Sequence, residues 1–95
     1  MAAIERLQSW YALQCDGDWE HQFGVKIETL DNPGWSFTID LDDTSLEEKE
    51  FLSVRTERTD NDWLFASKKE TKFQIACSLS NFDEALAIFC DWAGI

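Results

Sequence analysis

Basic side chains are scarce in this sequence, which has 8 Lys and Arg against 19 Asp and Glu and a formal net charge of −11. Proteins that bind DNA or RNA gain much of their affinity by neutralising phosphates with Lys and Arg. A negative field of this size also repels anionic lipid and attracts basic partners. Composition therefore predicts that the protein binds neither nucleic acid nor membrane, and it favours a basic protein as the partner. An acidic surface also keeps proteins soluble without any partner, so charge alone assigns no function.

Paired cysteines and long apolar runs are missing as well. The three cysteines are Cys15, Cys77 and Cys90, and no two of them form a CxxC pair, so neither a zinc ribbon nor a disulfide framework is indicated. Cys77 and Cys90 fall within apolar patterns and are predicted to be small core residues. No apolar stretch approaches the roughly 20 residues that cross a bilayer. The first residues, MAAIERLQSW, lack the basic segment and apolar run of a signal peptide. We expect a cytoplasmic protein.

Large aromatic side chains, in contrast, are plentiful: the 95 residues include five Trp, seven Phe and one Tyr. A chain of this length buries only about 60–70% of its unfolded surface. Each buried aromatic side chain removes roughly 150–250 Å² from water, so these residues can supply a core. We predict one globular domain over residues 1–95. The sequence leaves its oligomeric state open.

Both ends of the chain show the apolar period of amphipathic helices. In residues 3–14, one face carries Ala3, Ile4, Leu7, Trp10 and Tyr11. Gly17 is then expected as the C′ residue after this helix. In the second helix, the apolar stripe is Phe82, Ala85, Leu86, Phe89 and Ala93. Asn81 is expected to cap that helix, with Glu84 close to a capping-box position, and Gly94 to end it.

Between the helices, a period of two predicts five strands. They are placed at 23–30, 35–41, 51–58, 62–68 and 72–78. The residues expected to face the core are Phe23, Val25, Ile27, Trp35, Phe37, Ile39, Leu41, Leu52, Val54, Trp63, Phe65, Phe73, Ile75 and Cys77. Between the first two strands, DNPG places Pro33 and Gly34 at the second and third positions of a type II turn.

Consecutive strands with short polar turns favour an antiparallel meander, whose apolar face needs a cover. The predicted fold class is α+β: a meander sheet of about five strands with the N-terminal and C-terminal helices packed on one face. The acidic stretch 42–50, with its isolated Leu46, is expected to be a loop.

Residues 15–21, CDGDWEH, hold a thiol, three carboxylates, an indole and the only histidine. Counted from Asp16, a calcium loop of the EF-hand type needs Gly at the sixth position and Glu at the twelfth. Those positions hold His21 and Ile27. The spacing of Cys15 and His21 also matches no usual structural zinc site. We therefore predict no metal and no cofactor.

Catalysis is the next possibility for this segment, since His21 beside Glu20 or Asp18 could serve as a general base. The sequence has neither a nucleophile elbow nor a phosphate-binding glycine loop to complete such a site. We predict that the protein is not an enzyme, with a small hydrolase as the less favoured alternative.

A binding role and a structural role both remain open for the segment. Trp19 can fold over the end of the sheet, or it can anchor an interface, because binding hot spots favour Trp among polar groups. The candidate partner-binding residues are Asp16, Asp18, Trp19, Glu20, His21, Asp40, Asp42, Asp43, Glu47, Glu48 and Glu50. From these residues alone, an acidic adaptor or regulator with an unrelated partner is an alternative to any more specific inhibitor.

Residues 7–41, LQSWYALQCDGDWEHQFGVKIETLDNPGWSFTIDL, resemble the signature region of the immunity protein 53 family of bacterial polymorphic toxin systems. The shared features are WY..QCDGDWEH, the strand after it and TLDNPGW, together with Asp62–Trp63 and the closing FCDWA. The resemblance implies a cytoplasmic protein that binds and neutralises the toxic domain of a cognate effector. The formal charge of −11 agrees with a basic, nuclease-like toxin, because many such toxins are nucleases with basic substrate clefts, but the family does not itself fix the toxin's activity. The resemblance supplies no contact residues.

Overall fold

Two long helices frame five strands in the structure, a computed structural model that describes residues 2–95. The helices are α1 (Ala3–Gln14), the four-residue α2 (Trp19–Gln22) and α3 (Phe82–Ala93). The strands are β1 (Val25–Leu30), β2 (Gly34–Asp40), β3 (Val54–Thr59), β4 (Asp62–Lys69) and β5 (Lys72–Cys77). A 3-10 turn at Leu79–Asn81 leads into α3. The α+β class and the five antiparallel strands are thus confirmed.

The strands are ordered β1-β2-β5-β4-β3, so the sheet is not a sequential meander. β2 and β5 pair directly, and residues 41–53 carry the chain from the end of β2 to the far edge, where β3 begins. Burial explains this order. Phe37 and Ile39 of β2 and Phe73 of β5 are fully buried, whereas β1 and β3 contain no fully buried residue. The three strands with buried residues, β2, β5 and β4, therefore occupy the interior of the sheet, and the two polar strands, β1 and β3, form its edges.

The core lies between the sheet and the layer formed by α1 and α3. Its buried residues are Ala3, Leu7, Trp10, Phe37, Ile39, Leu41, Leu46, Leu64, Ala66, Phe73, Ile75, Cys77, Ala85, Leu86, Phe89 and Cys90. The predicted alternation of β2 and β5 and the core positions of Cys77 and Cys90 are confirmed. Ile4 and Tyr11, expected on the buried face of α1, are instead 44% and 36% exposed.

The face of β4 was predicted wrongly. Leu64 and Ala66 point into the core, so Trp63 and Phe65 lie on the opposite side of the sheet, which none of the helices in residues 2–95 covers. In the run WLFA both faces of the strand are apolar, so the period of two does not tell which face is buried. The structure buries the smaller residues, Leu64 and Ala66, against the helices. Leu52 is also not a core residue: it is 90% exposed, because β3 begins only at Val54.

The turn between β1 and β2 is not of type II. That turn requires a positive φ at its third position, but Gly34 has none, and the Asn32–Pro33 peptide bond is cis. Gly34 is instead the first residue of β2, where its missing side chain lets the backbone carbonyl of Cys77 approach closely. Gly17 has a φ of 91°, but it lies two residues beyond the C-cap Cys15 rather than one.

The predicted boundaries of α3 are confirmed. Asn81 occupies the N-cap position, although its side-chain amide donates to Asp62 and Glu84 (2.9 and 2.8 Å) instead of capping the helix backbone. Gly94 ends the helix in the left-handed conformation, with a φ of 74°. Gly is favoured there because it has no Cβ to clash.

Candidate functional site

Trp19 joins the two acidic segments that the sequence singles out. Its indole Nε1 donates a hydrogen bond of 2.7 Å to the backbone carbonyl of Asp42. The ring is only 6% exposed and packs edge-on against Trp10, with centroids 6.2 Å apart. The structure thus gives Trp19 a core position at the junction of residues 15–21 and 40–50, which we call the first and second acidic loops. A partner-binding role for Trp19 stays a prediction.

The first acidic loop holds its own carboxylates in place. Oδ1 of Asp16 accepts hydrogen bonds from the backbone N–H groups of Asp18 (3.0 Å) and Trp19 (2.9 Å). The carboxylate of Glu20 accepts from the N–H groups of Asp16 (3.0 Å) and Gly17 (2.8 Å). Together these bonds close the loop around the start of α2, where unpaired N–H groups need acceptors.

The same bonds keep both carboxylates negatively charged. The N–H of Trp19, followed by that of Asp18, lowers the pKa of Asp16. The pKa of Glu20 is lowered by its own backbone N–H and by those of Asp16 and Gly17. Hydrogen bonds to an ionised carboxylate favour the charged form. Asp16 and Asp18 are exposed and Glu20 is partly exposed, so the loop presents fixed negative charge to solvent.

The second acidic loop begins with two partly exposed carboxylates that are both paired with Lys72. Nζ of Lys72 lies 2.8 Å from Asp40 and 2.9 Å from Asp42. Thr71 also donates to Asp42 at 3.0 Å. Burial raises the pKa of Asp42, but the hydrogen bonds from Lys72 and Thr71 outweigh it, and the net shift is downward. Asp40 also accepts from the N–H of Gly24 at 2.9 Å, so these two candidates are tied into the fold.

The remaining candidates of the second loop project from a pinned backbone. Asp43 has a φ of 58° and donates its N–H to Glu47 at 3.2 Å. Lys68 donates to the carbonyls of Glu47 and Lys49, each at 2.7 Å. The Glu50 carbonyl accepts from the indole of Trp92 at 2.8 Å, which places Glu50 beside the C-terminal end of α3. Asp43, Glu48 and Glu50 are exposed.

His21 and Glu20 do not form an acid–base pair with each other in this arrangement. His21 is exposed, and the carboxylate of Glu20 is occupied by backbone N–H groups. Within residues 2–95, no three His, Cys, Asp or Glu side chains converge to hold a metal ion. The geometry therefore offers a rigid arrangement of carboxylates, with Lys72 as a counter-ion that sequence reasoning missed.

The uncovered face of the sheet is a second surface that sequence reasoning missed. The guanidinium of Arg55 lies 4.5 Å from the Phe65 ring centroid, and the Trp63 ring lies beside Phe65 at 5.4 Å. Next to them, Ser36, Thr38, Ser67, Gln74 and Ala76 line a shallow depression of about 490 Å³. The run WLFA was the only signal in the sequence, and its periodicity does not say which pair faces out.

Comparison with known protein families identifies a match over most of the chain. The family described as Immunity protein 53 matches residues 4–94 of the chain. No curated protein and no solved structure matches it. Among residues 2–95, no helix is both long enough and apolar enough to span a bilayer. The match covers both acidic loops, all five strands and α3. The chain therefore belongs to the immunity protein 53 family.

Proposed function

We propose that this protein is a cytoplasmic, non-enzymatic inhibitor that neutralises a cognate basic, nuclease-like toxin by covering its cationic cleft with the two acidic loops. Family membership supports the toxin-immunity role. The observation that carries the finer proposal is the junction at Trp19 and Asp42, where the two loops form one structural unit. Carboxylates in such a unit can take the place of substrate phosphates.

Rigidity supports this assignment as much as charge does. Binding costs free energy when side chains and loops must become ordered, so groups already fixed in place lose less. Asp16 and Glu20 are fixed by four backbone hydrogen bonds. The formal charge of −11 would also steer a basic partner toward the protein. A catalytic step is not needed for neutralisation, because an occupied cleft cannot bind its substrate.

The test is a calorimetric titration against the C-terminal domain of the polypeptide encoded immediately upstream, at low and at high salt. We expect nanomolar or tighter affinity, equivalent to about 12 kcal/mol or more, that weakens as salt screens the charges. The absence of binding would contradict the toxin-immunity role for this pair. Tight binding that is equally strong at both salt concentrations would contradict the acidic-loop mechanism alone.

A matched pair of variants separates the loops from net charge. Asp18→Asn with Asp43→Asn removes two exposed charges from the acidic loops. Asp31→Asn with Asp60→Asn removes two exposed charges from the β1–β2 and β3–β4 turns. We expect the first pair to weaken binding at least about tenfold and to reduce its salt dependence, and the second pair to have a smaller effect. Equal effects would assign the attraction to overall charge.

A further inference from the structure

An apolar groove runs between α1 and the edge strand β1. Its walls include Ile4 and Tyr11 of α1 and Ile27 of β1, which are 44%, 36% and 37% exposed. Leu7 and Val25 lie deeper, and the groove has a volume of about 470 Å³. Three neighbouring large apolar side chains in one concave site indicate a surface that another chain can cover.

The backbone of β1 beside this groove is unpaired on its outer side. β1 is an edge strand that pairs only with β2 within residues 2–95. The N–H of Asp40 donates to the carbonyl of Gly24 at 3.0 Å. Because bonded and non-bonded pairs alternate in an antiparallel ladder, Lys26 and Glu28 direct their backbone groups to β2. It follows that the N–H and C=O groups of Val25, Ile27 and Thr29 point outward.

The groove and the free backbone groups belong to the same residues. Val25 and Ile27 pair with Ile39 and Phe37 of β2, whose side chains are in the core, so their own side chains lie on the helix side of the sheet. A strand added outside β1 would therefore place alternate side chains against α1. Extended backbone and apolar pockets at a spacing of two residues are what an added strand requires.

The opposite edge of the sheet is less suited to the same role. Both edge strands carry charged side chains, but the register of β3 with β4 shifts between Glu57 and Thr59. Irregular pairing is one feature by which edge strands resist addition. β1, in contrast, stays in regular register with β2 over all six pairs.

We propose that an extended segment of the cognate toxin adds to the outer edge of β1 as a further strand, with alternate apolar side chains in the groove; this inference rests on the proposed function. Charge selects this occupant over a second copy of the chain, which would bring −11 against −11. The groove also adjoins the first acidic loop, since the rings of Tyr11 and Trp19 are 6.0 Å apart. A basic residue that follows the added strand would meet that loop.

Amide hydrogen exchange, followed residue by residue in the free protein and in its complex with the upstream-encoded toxin domain, tests the mode of binding. In the free protein, we expect fast exchange at Val25, Ile27 and Thr29 and slow exchange at Lys26 and Glu28. In the complex, the three fast amides should become protected, because the added strand accepts their hydrogen bonds. A partner that docks as a helix would leave them exchanging fast and would overturn the inference.

Two double variants test the groove itself. Ile4→Gln with Ile27→Gln makes it polar, while Leu13→Gln with Leu52→Gln changes two side chains that are 81% and 90% exposed and lie outside it. We expect the groove variant to bind the toxin domain at least about tenfold more weakly, and the control within about twofold of the unaltered protein. The control should keep its melting temperature, whereas the groove variant should melt somewhat lower, because Ile4 and Ile27 are only 44% and 37% exposed. Affinities are therefore compared at a temperature at which circular dichroism shows both variants to be folded.

The outcomes separate the two proposals. If the unaltered protein does not bind the toxin domain, the proposed function fails and this inference fails with it. If it binds but the β1 amides and the groove variant are unaffected, only the strand addition is overturned. Protection of Val25, Ile27 and Thr29 in the free protein that rises with its concentration would assign the edge to a second copy and would also overturn the inference.

Discussion

The indole of Trp19 and the backbone carbonyl of Asp42, 23 residues apart in sequence, share a hydrogen bond of 2.7 Å. This bond links the first acidic loop to the end of β2, and the Trp19 ring packs at 6.0 Å from Tyr11 and from Phe23. The signature segment CDGDWEH is therefore both a core element and the frame of a charged surface. Any substitution that removes the Trp19 ring therefore affects both the packing of the core and the placement of the charged loop.

Trp19→Ala is expected to lower the free energy of unfolding by about 3–5 kcal/mol, as for other large core side chains truncated to Ala. Trp19→Phe keeps most of the packing but removes the bond to Asp42, so a loss of about 1 kcal/mol is expected. Urea unfolding followed by circular dichroism measures both, with the exposed Leu13→Ala as control. A Trp19→Ala protein of unchanged stability that no longer binds the toxin would contradict the core role.

Gly34→Ala is expected to destabilise the sheet, because the new Cβ would collide with the backbone carbonyl of Cys77 on the neighbouring strand. The backbone of Cys77 is paired with strands on both sides, opposite Trp35 and Leu64, so it cannot move aside cheaply, and a cost of about 1–3 kcal/mol is typical of overpacking. Gly24→Ala is the matched control, since nothing lies within 4 Å of a Cβ there and its φ is not positive. Equal melting temperatures for the two variants would contradict the close approach of β2 and β5.

Only one of the three thiols is expected to react quickly in the folded protein. Cys77 and Cys90 are fully buried, and burial raises the pKa of both, that of Cys77 to about 11. The thiolate is the reactive form, so at pH 8 only about 0.1% of Cys77 would be reactive even with access. A chromogenic disulfide reagent should titrate one thiol per chain, Cys15, within minutes, and three after denaturation. Rapid reaction of two thiols without denaturant would show that the core opens.

The buried face of a strand is predicted best where apolar residues alternate regularly with polar or small ones, so that only one face is apolar. Phe37 and Ile39 in β2 and Phe73 and Ile75 in β5 alternate with polar or small neighbours, and all four are buried as expected. Local sequence also predicts the boundaries of α3 at Asn81 and Gly94, whereas the period in α1 places Ile4 and Tyr11 on a face that is only partly covered.

Features that depend on contacts between distant segments could not be predicted in this way. The orientation of β4 is set by its pairing with β5, because its own apolar run fits either phase. The interior position of β2, β5 and β4 depends on the burial of all strands compared with one another. In the candidate site, the pairing of Lys72 with Asp40 and Asp42 joins residues about 30 positions apart, and no local spacing signals it.

Lys72→Met is expected to destabilise the protein in a pH-dependent way, since it leaves the carboxylates of Asp40 and Asp42 without their counter-ion. The folded pKa of Asp42 lies below its usual 3.8, so the stabilisation from the pair is lost as pH falls through that lower value. The pKa of Lys72 is raised above 10.5, first by Asp40 and then by Asp42, so the stabilisation is also lost as pH rises beyond it. The pair therefore contributes most between about pH 4 and pH 10.

Urea unfolding at pH 3, 7 and 10 measures this effect, with Lys26→Met as the control that removes the same charge from an exposed position of β1. The difference in unfolding free energy between the unaltered protein and Lys72→Met should be largest at pH 7 and shrink at pH 3. Because the ion pair is partly exposed, salt should reduce the difference as well.

An identical difference for both variants at every pH would mean that net charge, rather than the pairing with Asp40 and Asp42, accounts for the effect. A difference confined to Lys72→Met would show that this lysine, in addition to Thr71 and Trp19, holds the start of the second acidic loop against the fold.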